Sequence, residues 1–416
     1  MENRDNRRAW LVFIVIMIQS IALPMCQFKV PPVMGYLIED LNVSMTMAGL
    51  MMSIFSIAGV VIAFPAAALL SKWGPKISGL VALFCAITGS VIGAVAETGA
   101  IMLLGRTIEG VSVGLLSVCA PTIISMWFPP EKRALPLAIW ACWVPLGMVT
   151  MFNMTMPIVN AFGHWKSVWW FTAIICVVVS ILYAIFVDAP EGGKIETRSS
   201  ETEPKESIWK GIGSPSLLIL AGAFFLFNLL SLSYYSWGPT YLVEVLGYST
   251  ASANSLSSLM GIGGITSGIV VAIALNFVKN KKRVVVATTL VYTVIIFFCF
   301  RLSSSMVVIY MFMLGLANGI TPTVVSAVAP DTVKNPEHIG VAMAVLWGTS
   351  CNGGALVGPP LVGSFIEKLG WTGATIPTAG IAFVAFILAL IWKLPKGEPI
   401  LQKTANRQVM LNTFSD

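Results

Sequence analysis

Three ionisable side chains, Lys29, Arg106 and Glu109, stand inside stretches of sequence otherwise almost free of charge. An ion in apolar surroundings is expensive and keeps its charge only with a partner. Arg106 and Glu109 are three residues apart, so on a helix they share a face and can pair. Two readings of that pair stay open: an internal ion pair, or a proton switch in which protonating Glu109 frees Arg106 for an anion. Lys29 also has two readings, a cation lining an internal cavity or a long side chain reaching back to an interface. Their charges leave an excess of one positive, or of two with Glu109 protonated. The chemistry open to such a set is holding an anion.

Uncharged groups at similar depth complete a candidate pocket: Gln27 beside Lys29, then Asn228, Tyr234, Tyr235, Asn318, Thr321, Trp347 and Asn352 in the second half, and Trp140, Trp143 and Asn153 in the first. Each aromatic alone fits packing or interfacial anchoring as well as ligand contact, and Trp165, Trp169 and Trp170 read as an interfacial belt. Other chemistries lack their residues. The two histidines, His164 and His338, fall in loops, so a histidine proton relay is not indicated. All seven cysteines lie in apolar stretches with no C-x-x-C pair, which indicates neither a disulfide framework nor zinc. There is no G-x-x-x-x-G-K-[ST] phosphate loop, and no cofactor is expected. No acid, histidine and cysteine constellation exists at depth, so an enzyme is not expected.

The elements that must position these residues are apolar. Hydrophobic residues make up 56% and charged residues 11%, whereas a soluble domain carries about 25% charge. Twelve apolar stretches run from about Leu11 to Trp392, each long enough for a bilayer (about 20 residues for ~30 Å of hydrocarbon). The run after Arg7 and Arg8 is too long for a signal peptide and lacks a small-x-small cleavage site, so it is expected to be retained. With the N-terminus inside, twenty of the 25 Lys and Arg residues fall in inside segments, and only Lys166, Arg301 and Lys368 in outside loops. That bias predicts both termini in the cytoplasm. It also accounts for the net +6 without nucleic acid, since basic loops meet anionic lipid head groups.

The polar stretch from Asp188 to Lys210 divides the chain into halves that read as copies. Gly114-x6-Pro121-Thr122 recurs as Gly315-x6-Pro322-Thr323, offset by 201; Tyr36, Glu39 and Ser44 recur as Tyr241, Glu244 and Ser249, offset by 205. The expected architecture is an all-α membrane protein: twelve transmembrane helices in two pseudo-symmetric six-helix bundles, 1–187 and 211–416, joined by a cytoplasmic linker 188–210 and ending in a short cytoplasmic tail. Duplicated six-helix units of this kind put a binding site near the midplane, between the halves.

Several motifs resemble the major facilitator superfamily. Ala67-Ala-Leu-Leu-Ser71-Lys72-Trp-Gly74-Pro-Lys76 is similar to the family loop G-x-L-x-D-R-x-G-R-K, with Ser71 where an acid is usual. Leu104-Gly-Arg106-Thr-Ile-Glu109-Gly110 resembles R-x-x-Q-G-x-G, with Glu109 at the Gln position, and Trp127-Phe-Pro-Pro-Glu-Lys-Arg133 follows it. Gln27-Phe-Lys29-Val-Pro31 is loosely similar to cyanate-permease-like transporters, and a basic residue in segment one with Arg in segment four to organic-anion:cation symporters. Val113 stands where the latter carry a coupling Glu. The Gly354-x-x-x-Gly358-Pro359 string in segment eleven reads as close helix packing.

The resemblance implies a secondary active transporter, a monomer in the bacterial cytoplasmic membrane, working by alternating access. A small anion would be held by Lys29 and Arg106, with Gln27, Trp143, Asn228, Tyr234, Tyr235, Asn318, Trp347 and Asn352 around it. Glu109 with Arg106 would couple transport to a proton or a counter-anion, and Ser71, Lys72, Gly74 and Lys76 would form the conformational loop. The rival readings are an exporter of hydrophobic or cationic compounds and a transporter-like membrane sensor.

Overall fold

A computed structural model describes residues 2–129, 132–188, 214–274, 280–333 and 338–393. Of the expected linker, only Asp188 lies among them. Apolar sequence without water must satisfy its own backbone, and the described residues accordingly form helices throughout.

Twelve helical segments can be followed among them. α1 (Glu2–Phe28) continues through a turn at Pro31–Val33 into Met34–Asp40. The stretch Met45–Ala94 breaks at Gly74, whose φ of 76° and ψ of 168° are not helical, giving α2 (45–73) and α3 (75–94). α4 is Gly99–Trp127, α5 runs as Ala134–Trp140 and Trp143–Phe162, and α6 is Lys166–Phe186. α7 is Pro215–Glu244, α8 Thr250–Ala274, α9 Lys281–Phe297 and α10 Val307–Val328. α11 starts at Ile339–Met343, widens into a π-helix over Ala344–Cys351 and continues to residue 369; Gly370 (φ 70°) separates it from α12, 371–391. Hydroxyls cap the starts: Ser44 accepts from the Met47 amide (3.1 Å), and its repeat partner Ser249 from the Ser252 amide (3.2 Å).

Alternation of direction gives two faces. The terminal face carries Arg7, Lys76, Asp188, Ser214 and Trp392; the far face carries Asp40, Phe162, Glu244 and Leu369. Small residues set the helix spacing. A Cβ at Gly358 would strike the Leu229 carbonyl, and one at Gly354 the Phe225 carbonyl, so the glycine string of α11 is the surface that packs on α7.

The described contacts between the halves gather at the far end and mid-depth. Thr46 Oγ1 donates to Glu367 (3.2 Å), Asn254 Nδ2 donates to the Pro32 carbonyl (3.2 Å), and a Cβ at Gly49 would lie 2.5 Å from the Pro359 carbonyl oxygen. Deeper, Phe28 meets Tyr235 edge-on at 6.0 Å, and Gly261 leaves room for Met148 and Val149. A cavity of about 360 Å³ remains at the far face, and Glu39 and Glu244 from the two repeat copies both line it.

Candidate functional site

The prolines after α1 set up the site. Pro31 has no N–H to offer the carbonyl four residues back, that of Gln27, so this acceptor is left for another donor. Arg106 of α4 takes it through Nη2 (3.1 Å) and also takes the Cys26 carbonyl through Nη1 (2.5 Å). Its Nε donates to the Met51 carbonyl of α2 (2.9 Å), and the guanidinium lies over the Phe55 ring at 4.7 Å. Arg106 therefore ties α1, α2 and α4 together through backbone acceptors.

Glu109, one turn on, bridges two cations. Oε2 accepts from Arg106 (2.5 Å) and Oε1 from Lys29 (2.6 Å) and Ser90 (2.7 Å). Lys29 also donates to Ser90 Oγ (3.0 Å) and Thr172 Oγ1 (2.9 Å), and its ammonium sits 4.8 Å from the centre of the Trp169 ring. All three charged side chains have 0% exposure. Gly89 and Gly93 make this possible: a Cβ on the first would meet the Gly105 carbonyl and Glu109, and on the second the Trp169 indole. Each ion has partners on every side, and the set retains one excess positive charge.

The structure thus gives Lys29 a position that neither sequence reading offered. It does not reach the interface, and in this conformation it points into the first bundle, between α1, α3, α4 and α6, away from the space between the halves. Arg106 and Glu109 pair as their spacing predicts. Trp169 and Trp165 correct the belt reading: both are buried, Trp169 over Lys29 and Trp165 donating to Asp40 (2.6 Å), while Trp170 is exposed. Their place near the start of α6 looks interfacial in sequence, and the inward turn comes from the partners. Nothing in the sequence marks Ser90 or Thr172, because lone hydroxyls in a span are commonplace; the one signal is the small Gly89 beside Ser90.

The uncharged candidates divide into two groups. Gln27 is half-buried next to the Phe28–Tyr235 contact, and Trp143 stacks on Trp140 at 5.5 Å. Asn228 donates to the Phe224 carbonyl (2.7 Å), and its Oδ1 accepts from Cys351 (3.2 Å), joining α7 to α11. Asn318 Oδ1 accepts from Ser231 (3.0 Å), and its side chain also faces the Tyr235 hydroxyl. Trp347, 39% exposed, donates to Ser326 (3.2 Å), and Asn352 donates back to the Trp347 carbonyl (2.7 Å) within the π-helical turn. Tyr234 stands apart. It is buried in the second bundle against Phe300 (5.3 Å), with its hydroxyl toward the Cys299 thiol. By the repeat offset of 205, Tyr234 is the counterpart of Lys29; by that of 201, Tyr310 is the counterpart of Glu109, so these positions of the second bundle carry no ion.

At the junction of α2 and α3, Lys72 is exposed, Gly74 supplies the break, and the side chain of Ser71 is outside those described. Lys76 pairs with Asp188 at the end of α6 (2.6 Å), and Arg8 approaches the same carboxylate (3.8 Å). An acid from α6 thus stands opposite the loop in which Ser71 replaces one.

Comparison with known proteins agrees with this architecture. The chain is 26% identical over 378 residues to a hexuronate transporter of Bacillus subtilis, covering 86% of this chain and 88% of the relative. It is 24% identical over 401 residues to a probable galactarate/D-glucarate transporter of the same organism, covering 88% and 87%. Among solved structures, the nucleoside transporter NupG superposes with a TM-score of 0.76 at 14% identity, covering 93% of this chain and all of that one. An inward-facing, unoccupied bacterial homologue of the human lysosomal transporter Spinster gives 0.76 at 14% identity, covering 94% and 99%. Residues 9–277 and 276–412 match the family described as the Major Facilitator Superfamily. With twelve helices in two six-helix bundles and a family match over nearly its whole length, the chain is a multi-pass integral membrane protein and a member of the major facilitator superfamily.

Proposed function

We propose that the chain is a secondary active transporter of a small organic anion, of the sugar-acid carboxylate class, working by alternating access to the space between its halves. The observation that carries the reading is the buried cluster of two cations and one carboxylate, tied by Arg106 to the backbone of α1. Its excess positive charge lies just behind Gln27. Low-dielectric surroundings extend the reach of such a charge. The relatives named for hexuronate and for galactarate/D-glucarate support the substrate class.

In this reading Gln27, Trp143, Asn228, Tyr235, Asn318, Trp347 and Asn352 offer the hydrogen bonds and ring faces a polyhydroxy acid needs. Tyr234 supports the second bundle from behind. Lys29 and Arg106 act on the substrate through their field while Glu109 is ionised. Protonating Glu109 releases Lys29 more readily than Arg106. Arg106 keeps three carbonyl acceptors, whereas Lys29 keeps two hydroxyls. The freed charge favours the anion, which makes proton symport the coupling mode, with anion exchange open to the same residues. The Lys and Arg bias makes the terminal face cytoplasmic. The protein works as a monomer in a bacterial cytoplasmic membrane, with 1–187 and 211–416 as its two moving bodies and the loop at Ser71, Lys72, Gly74 and Lys76 engaging Asp188 as they move.

Uptake of labelled glucuronate and glucarate into proteoliposomes, with and without an inward proton gradient, tests this. The expected result is gradient-stimulated uptake in the wild type. In Glu109→Gln the gradient loses its effect while exchange of preloaded substrate persists. Transport of lipophilic cations with no response to either acid would sink the proposal in favour of the exporter reading.

A further inference from the structure

The lipid-facing side of the first bundle carries a groove of about 520 Å³ at the terminal face, formed by Trp10, Leu11, Ile14, Val15 and Ile18 of α1 with Leu182 and Phe186 of α6. These α1 positions follow Arg7 at steps of three, four, seven, eight and eleven, so Arg7 and the apolar residues lie on one helix face. Arg7 also lines the groove, the one charged residue to do so among the described residues. From Arg7 to Ile18 the helix rises roughly 16 Å, about half of the ~30 Å hydrocarbon thickness, so the groove is as long as one leaflet.

The two adjacent arginines differ in what they touch. Arg8 has Asp188 at 3.8 Å and the Trp127 ring at 5.5 Å. Arg7 is exposed and has no ion-pair or hydrogen-bond partner among the described residues. Trp10 is fixed edge-on against Phe13 and Phe128 (5.4 and 5.3 Å), which gives the groove a rigid upper wall.

We infer that this groove binds one anionic phospholipid, with an acyl chain lying along α1 and α6 and the phosphate on the Arg7 guanidinium. A guanidinium presents a planar fork of donors that suits phosphate. A lipid with net negative charge leaves that pairing uncompensated by a positive head group, whereas a zwitterionic lipid brings its own cation. The inference is independent of the substrate and of the coupling mode.

The test uses the full-length protein in detergent, with added palmitoyl-oleoyl phosphatidylglycerol or the matching phosphatidylcholine. Native mass spectrometry reads bound lipid, and thermal unfolding reads stabilisation. The expected result is one phosphatidylglycerol retained in preference to phosphatidylcholine, with a raised melting temperature. Arg7→Gln lowers that affinity about fivefold, the worth of one basic side chain at an anionic lipid surface. Arg283→Gln, an exposed basic position at the start of α9, leaves it unchanged. Ile14→Trp, which fills the groove with Arg7 in place, also lowers it. Equal retention of the two lipids by the wild type overturns the inference, as does undiminished preference for phosphatidylglycerol in both Arg7→Gln and Ile14→Trp.

Discussion

Glu109 answers two cations, one on each carboxylate oxygen, so neutralising the three ions one at a time has unequal effects. Glu109→Gln leaves Lys29 and Arg106 facing each other without a counter-charge. Removing one member of a buried pair costs about 3–5 kcal/mol, and this variant is expected at the upper end. Lys29→Met leaves the Arg106–Glu109 pair neutral and complete, so its loss should be clearly smaller. Melting temperatures in detergent give the order directly; a Lys29→Met protein less stable than Glu109→Gln would show that the ammonium, with its hydroxyl partners and Trp169, carries the cluster. Arg106→Lys tests the backbone bonds, since one ammonium cannot reach the Cys26, Gln27 and Met51 carbonyls together. It should lower stability although charge is conserved. The types and depths of the three ions were legible in the sequence, and so was the pairing of Arg106 with Glu109, because i and i+3 fix it within one helix. That Lys29 joins them was not. The partner that decides its direction lies 80 residues away, and only the packing of α3 and α6 brings Ser90, Thr172 and Trp169 to it.

Among the elements, the glycines of the broken helices and those of the packed ones fail for different reasons. Gly74 adopts φ 76° and ψ 168°, a backbone region essentially reserved for glycine, with open space where a Cβ would go, so Gly74→Ala should cost the backbone strain alone, about 1–3 kcal/mol. Gly358→Ala drives a methyl into the Leu229 carbonyl and pushes α11 off α7. Overpacking of this kind costs typically 1–3 kcal/mol and shifts backbone. Gly358→Ala should therefore lower both the melting temperature and transport normalised to folded protein; an unchanged normalised rate would show that α11 and α7 need not keep this spacing. The glycine string of α11 was readable as a packing surface, and the Ser44 and Ser249 caps follow from the repeat. The π-helical turn at Ala344–Cys351 was not readable. Its extra residue per turn is held by Asn352 and by the fit against Asn228 and Ser326, which are tertiary facts.

Across the whole molecule, the two halves meet through Thr46 and Glu367 at the far end. Cysteines placed at both positions should be joined by a bifunctional thiol reagent long enough to replace the glutamate side chain, and the crosslink should stop transport. Full transport in the crosslinked protein would mean that this end need not open. The duplication of the halves was legible from two offsets in sequence, and the same offsets set Tyr234 and Tyr310 opposite Lys29 and Glu109; that the three charges close on one another inside the first bundle was not, because it rests on packing between helices. The wiring of Lys29 also bears on how the chain is made. α1 leaves the ribosome long before Glu109, and Thr172 follows Lys29 by 143 residues. Until they arrive, the nascent first helix carries an unmatched cation worth about 2.5–3.5 kcal/mol against insertion. A chain truncated before α4 keeps that cation unmatched, so it should be degraded faster in the membrane than a chain that includes α4; equal lifetimes would show that the lysine finds another partner.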